Sequence, residues 1–149
     1  MDSIRRFCTE LRTTPRPNEL EGALAKYLAA NAESTLVTSV RVAGDTTLLP
    51  LDVCEEVYIV LREAIRNALV HSGATRLDVT VGISESQVFA RVSDTGRGFS
   101  VDDVARTGES IGLSSMRERV QLLGGVLRLS SRPGEGTTAE ISIPLGRVL

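Results

Sequence analysis

Three polar side chains, Glu63, Asn67 and His71, recur every four residues through an otherwise apolar, helix-patterned stretch. That interval places side chains along one side of a helix, one turn above the next. A solvated stripe is the ordinary reading of such a row. Asn67 argues for more, because an asparagine amide competes for local backbone hydrogen bonds and is a poor mid-helix residue. Beside a carboxylate it suggests a ligand. Glu63 can orient or deprotonate a nucleophile, and the Asn67 amide oxygen can complete the shell of Mg2+, a hard cation that favours oxygen.

A second group is Asp94, Gly96 and Gly98. Its ordinary reading is a strand-to-helix turn in which glycine supplies positive φ. A calcium loop is excluded, since that pattern needs oxygen donors at the alternate positions that Gly96 and Gly98 occupy. An Asp ending a strand above close-packed glycine backbone can instead accept a hydrogen bond from an exocyclic amine such as that of adenine. Gly112 and Leu113 stand where a helix begins, and helix N-terminal N–H groups form a natural phosphate site, although a plain turn explains the glycine equally well. Gly136 and Thr137 complete the set, with a routine strand residue as the alternative for Thr137.

These residues need elements to position them. Residues 1–17 read as a polar, basic lead-in broken by Pro15 and Pro17, and residues 18–149 as one domain. From Asn18 a helix is expected, with Leu20, Leu24, Tyr27 and Leu28 at helical spacing. A strand is expected over 36–42, with Leu36, Val40 and Val42 on one face and a turn at Gly44 and Asp45. Asp52 and Glu55 have the spacing of a capping box for a long helix that runs to about His71 and leaves at Gly73. Leu77, Val79, Val81 and Ile83 alternate strictly, as do Val88, Ala90 and Val92, which predicts a hairpin around 84–86. Another amphipathic helix carries Leu113, Met116, Val120 and Leu123 and stops at Gly124 and Gly125; a last hairpin turns over 132–136. Strands arriving as hairpins, without regular βαβ alternation, predict an α+β, two-layer α/β sandwich, with helices on one face of a mixed, mostly antiparallel sheet.

Composition excludes several classes. With 149 residues and 42% hydrophobic content the chain suits one compact domain. Aromatics are only 3% and Trp is absent, so aliphatic side chains must fill the core. A net charge of -2 argues against a nucleic-acid binder. Lys26 is the only lysine, and no glycine-rich loop runs into Lys-Ser or Lys-Thr, so a P-loop is excluded. Cys8 and Cys54 are too few for a disulfide framework or structural zinc, and fit a reducing cytoplasm. No apolar run is long enough to span a membrane, and the first residues lack a signal-peptide core, so a cytoplasmic domain without membrane contact is expected.

In order and spacing the four groups resemble the Bergerat-fold (GHKL) ATPases: an N box over 63–71, a G1 box over 94–99, a G2 box at Gly112 and a terminal Gly-Thr. The stretch 112–125 resembles one subgroup of sensor histidine kinases, the nitrate-responsive and membrane-fluidity type, which pair with helix-turn-helix response regulators. The resemblance implies a histidine-kinase catalytic domain that binds ATP and Mg2+. By it, Asp94 would recognise adenine, Gly96 and Gly98 would shape the pocket, and Thr137 would support Asp94. Asn67 would hold Mg2+ against the phosphates, Glu63 would activate the attacking group, and His71 would contact phosphate. Gly112 and Leu113 would meet phosphates through backbone N–H groups, and residues 101–110 would form the lid. The phosphoacceptor histidine would lie on a separate dimerising domain, leaving this domain monomeric when isolated.

Two positions depart from the family's pattern: Val70 stands where many members carry a phosphate-contacting lysine, and Ser110 replaces the first G2 glycine. A free-standing anti-sigma-factor serine kinase shares these boxes, and a nucleotide-holding regulatory module without turnover would suit Val70 and Ser110.

Overall fold

The computed structural model describes residues 14–71, 73–96 and 111–146. Gly98, Ser110 and the lid residues 101–110 lie outside them, as do the side chain of His71 and the surroundings of Gly112.

Among the described residues, three α-helices and five strands form two layers. Helix α1 (Leu20–Asn31) precedes β1 (Val37–Gly44), α2 (Leu51–His71), the hairpin β2 (Arg76–Ile83) and β3 (Gln87–Asp94), then α3 (Ile111–Leu122) and the hairpin β4 (Val126–Ser131) and β5 (Thr137–Pro144). The sheet order is β1-β2-β3-β5-β4. Only β1 and β2 pair in parallel; the other neighbours are antiparallel. The parallel pair is joined by α2, a single βαβ crossover within a sheet otherwise made of hairpins.

Period-two alternation decides which face of the sheet is covered. Leu77, Val79, Val81 and Ile83 of β2 are buried, together with Val88, Ala90 and Val92 of β3 and Ala139, Ile141 and Ile143 of β5. The intervening residues, among them Arg76, Thr80, Phe89 and Arg91, are exposed on the open face. The helices pack on the buried face. Helix α2 supplies the longest stripe, with Val57, Val60, Leu61, Ala64, Ile65 and Ala68 all buried. Each large aliphatic side chain fully buried there contributes about 1.5–3 kcal/mol. Truncating fully buried Ile65 to alanine would cost about 2–5 kcal/mol.

Glycines end two helices for different purposes. At α3, Gly124 has φ 76, its N–H bonds the Gln121 carbonyl, and the Gly125 N–H bonds the Val120 carbonyl. This is a Schellman closure, which a left-handed residue makes possible. Gly73 (φ 63) turns the chain out of α2 toward β2. The start of α2 differs from the capping-box expectation. The helix begins at Leu51, the Pro50 carbonyl accepts from the Cys54 N–H, and Asp52 sits inside the first turn with Oδ1 accepting from the Val53 N–H. A proline before the helix fixes the entry, and Asp52 then interacts with the free N–H end as a first-turn acid.

Candidate functional site

Asp94 is the single charged residue buried among the described residues, at 7% exposure. It ends β3 on the helix-facing side of the sheet, in one cross-strand row with Leu77, Thr137 and Ser131. Its Oδ1 accepts a hydrogen bond of 2.7 Å from the Gly96 N–H. The Thr137 N–H, opposite Asp94 in the ladder, also favours the charged form of this carboxyl. Burial nevertheless holds the Asp94 carboxyl above its ordinary value, because desolvation outweighs both influences. A buried carboxylate met only by neutral donors remains a strong acceptor for an incoming N–H group.

Thr137 supports Asp94 through its backbone, while its hydroxyl lies 2.8 Å from Ser131 Oγ. Gly136 makes this approach possible. Its φ is +81, and a Cβ there would collide with the Asp94 carbonyl oxygen and crowd Thr95. Glycine before Thr137 is therefore required twice over, by conformation and by space. The sequence signalled the pair, and the structure adds the reason.

A hydroxyl clasp brings the helix motif and the loop motif together. Thr95 Oγ1 accepts from the Arg76 N–H (3.1 Å) and the Thr75 N–H (3.3 Å), and the Thr95 N–H donates to the Arg76 carbonyl (3.1 Å). Residues 75 and 76 follow directly on the exit of α2, so the loop after Asp94 is tied to the end of the helix that carries Glu63 and Asn67. Helix α2 also packs across β3. Thr95 had no motif of its own to mark it.

On α2, Glu63 and Asn67 are half-buried and Val70 is 59% exposed. The Asn67 amide has no side-chain hydrogen-bond partner among the described residues. Glu63 is engaged: Arg66 Nη2 lies 2.9 Å from Oε2, and Arg66 Nε lies 3.4 Å from Oε1. The carboxylate holds the Arg66 guanidinium above its ordinary pKa. This two-pronged grip follows from the i,i+3 spacing and was not singled out from sequence. Gly112 and Leu113 fall in the first turn of α3, where no acidic side chain competes for the N–H groups. Leu113 is half-buried against the core.

A groove of about 480 Å³ between α2 and α3, lined by Asp52, Glu55 and Glu118 among others, lies elsewhere. From Asp52 to Asn67 along α2 is more than about 20 Å at 1.5 Å per residue. The groove is therefore separate from the Asp94 row.

A family model described as histidine kinase-, DNA gyrase B- and HSP90-like ATPase matches residues 53–147. The chain belongs to this ATPase family. The match spans the α2 motif, the Asp94 loop and the last hairpin, which are the elements that assemble here around Asp94. The ATPase domain is 36% identical over 99 residues to sensor histidine kinase LiaS of Bacillus subtilis, covering 66% of this chain and 27% of that protein. It is 33% identical over 99 residues to sensor protein VraS of Staphylococcus saprophyticus, covering 66% of this chain and 28% of that one. The chain thus spans less than a third of the length of these curated relatives. Its fold superimposes with a TM-score of 0.71, at 24% identity, on the histidine kinase domain of a blue-light activated histidine kinase from Erythrobacter litoralis, over 88% of this chain and 61% of that one. The family match and the fold likeness agree on an ATPase-family domain, here with a mixed five-stranded sheet under its helices. Among the described residues no helix is long and apolar enough to cross a membrane.

Proposed function

We propose that this domain binds Mg-ATP and transfers the γ-phosphoryl group to a histidine on a separate dimerisation domain of a two-component sensor kinase, for onward passage to a response regulator of the helix-turn-helix type. The observation that carries the reading is the buried Asp94 carboxylate, held by the Gly96 N–H group at the strand end. In this reading Asp94 takes the exocyclic amine of adenine. Gly96 and Gly98 keep the loop backbone close to the base, and Thr137 holds the carboxylate in place.

The half-buried Asn67 amide, without a side-chain partner among the described residues, fits a Mg2+ ligand. When bound, Mg2+ supplies charge neutralisation on the phosphates. No cluster of three or more metal-ligating side chains occurs among the described residues, which suits an ion shared with the nucleotide. Gly112 and Leu113 present helix N–H groups to phosphate, and His71 adds a phosphate contact. Glu63 orients the attacking imidazole of the partner domain, and residues 101–110 cover the nucleotide. Phosphoryl transfer of this kind depends mainly on positioning and charge neutralisation. In this reading the domain is cytoplasmic, and monomeric when isolated.

A nucleotide-holding module without turnover is the second reading. It is favoured by exposed Val70, which supplies no cation, and by Arg66 occupying both oxygens of Glu63.

Calorimetric titration of a non-hydrolysable ATP analogue, with and without Mg2+, tests the site on wild type and Asp94→Asn. Mg2+-sensitive binding that weakens at least about a hundredfold in the variant is expected, equal to about 2.7 kcal/mol. No binding to the wild-type chain would overturn the proposal. Labelling of the cognate histidine domain then separates turnover from binding alone.

A further inference from the structure

The groove between α2 and α3 has no part in the site just described, yet it is chemically distinctive. Its walls carry Asp52, Glu55, Glu56 and Glu118, with Leu122 and Leu123 at one end. Arg119 Nη1 lies 2.8 Å from Glu56 Oε1 and so answers that carboxylate. Asp52, Glu55 and Glu118 have no ion-pair partner among the described residues. Leu122 is 86% exposed, the most open large apolar side chain among them. A groove that is both acidic and apolar suits an occupant with basic and apolar side chains together.

The described chain begins beside it. Thr14 Oγ1 donates to Glu55 Oε2 at 3.4 Å, and the Pro15 carbonyl accepts from Cys54 Sγ at 3.5 Å. Thr14, to which residues 1–13 are joined, is thus held beside the groove. Those residues contain Arg5, Arg6 and Arg12 against Asp2 and Glu10, and also Ile4, Phe7 and Leu11 at helical spacing. Thirteen residues reach about 20 Å as a helix, and more when extended, enough to run the length of a groove between two helices. Tethering raises the local concentration of such a segment to about the millimolar range, so modest contacts suffice.

We propose that residues 1–13 dock in cis in the α2–α3 groove, with their arginines toward Glu55 and Glu118 and Phe7 or Leu11 over Leu122. A segment seated there bridges the two helices that carry Glu63, Asn67 and Gly112. It therefore links the N-terminal lead-in mechanically to both halves of the proposed phosphate site.

Thiol cross-linking on the full chain tests this. Cys8 lies in the segment, and a second thiol is introduced by Leu122→Cys or, as a control on the open sheet face, by Phe89→Cys. Cys54 is fully buried, and burial pushes its thiol up to about 11, so it does not compete. Linkage by a short bis-maleimide at low protein concentration is followed by peptide mass spectrometry. The link from Cys8 to position 122 should form within single chains, at least about tenfold faster than the link to position 89. Adding Arg5→Glu and Arg6→Glu should slow it by up to about fivefold. Equal rates at the two positions, or links mainly between chains with a rate that rises with protein concentration, would overturn the proposal. The second result would assign the groove to another copy.

Discussion

Asp94 and Thr137 stand opposite each other in the β3–β5 register, and the Thr137 hydroxyl turns away from the acid to Ser131. The strand that follows the last turn thus fixes the acid without using up its acceptor capacity. Asn in place of Asp would keep the Gly96 bond through its amide oxygen but would lose the charge.

A pH signature follows. Burial raises the folded-state pKa of Asp94 above the ordinary 3.8, so the folded chain holds this proton longer than the unfolded chain. Stability from this group is fully present below the unfolded value and is lost as pH rises through the folded one. Ionised Asp94 is therefore a burden on the fold at neutral pH. Thermal melts should show Asp94→Asn at least as stable as wild type near neutrality, with its advantage shrinking on acidification toward the unfolded value. A variant that is less stable at neutral pH and recovers nothing in acid would contradict this. The same variant should lose nucleotide binding, a trade of stability for function expected of a working site.

Gly136→Ala should lower unfolding free energy by about 1–3 kcal/mol, because φ +81 is strained for alanine and the new methyl meets the Asp94 carbonyl. Urea unfolding measures this. A change under about 0.5 kcal/mol would show that the turn relaxes freely.

Val70→Lys adds a cation at an exposed position of α2, so its stability cost should stay within about 0.5 kcal/mol. If the departure at this position weakens phosphate binding, the lysine should tighten ATP binding by up to about tenfold, an effect that fades in high salt. Unchanged affinity at low salt would remove Val70 from the site.

Glu63→Gln should separate binding from chemistry. ATP affinity should change less than about threefold, while phosphotransfer to the cognate histidine domain should fall by about a hundredfold or more. Arg66→Ala, which frees the Glu63 carboxylate, should leave folding stability within about 0.5 kcal/mol, since the Arg66 end of the pair is solvent-exposed. Equal losses of affinity and rate in Glu63→Gln would recast Glu63 as a binding residue.

Local pattern made much of this legible in advance. The alternation in β2 and β3 and the apolar stripe of α2 depend on near neighbours, and both appear where the spacing puts them. Leu36, Val40 and Val42 do pack against the core, although the strand itself runs later, over Val37–Gly44. Asp52 misled by one turn position because Pro50, not a side-chain cap, sets where α2 starts. Relations between distant segments left no local trace. The parallel pairing of β1 with β2, the Thr95 clasp on residues 75 and 76, and the crowding of Gly136 against Asp94 each depend on tertiary geometry. Arg66 lay in plain view beside Glu63, but a solvated i,i+3 pair is too common on helices to stand out.

The single parallel strand pair divides the sheet into regions of unequal persistence. Strand β1 has one hydrogen-bonded neighbour, and closing that pair requires a long chain loop that contains all of α2. The β3–β5 ladder around Asp94 is flanked on both sides, by β2 and β4. The β1 edge should therefore open as its own cooperative unit at lower free energy, leaving the Asp94 strands closed. In native-state hydrogen exchange the amides of Ser39 and Arg41, which share the direction of the Val37 N–H that bonds the Thr75 carbonyl, should exchange before those of Val92 and Ala139. Fluctuation would then be concentrated at the edge of the sheet farthest from β4, while the seat of Asp94 stays rigid through many such openings.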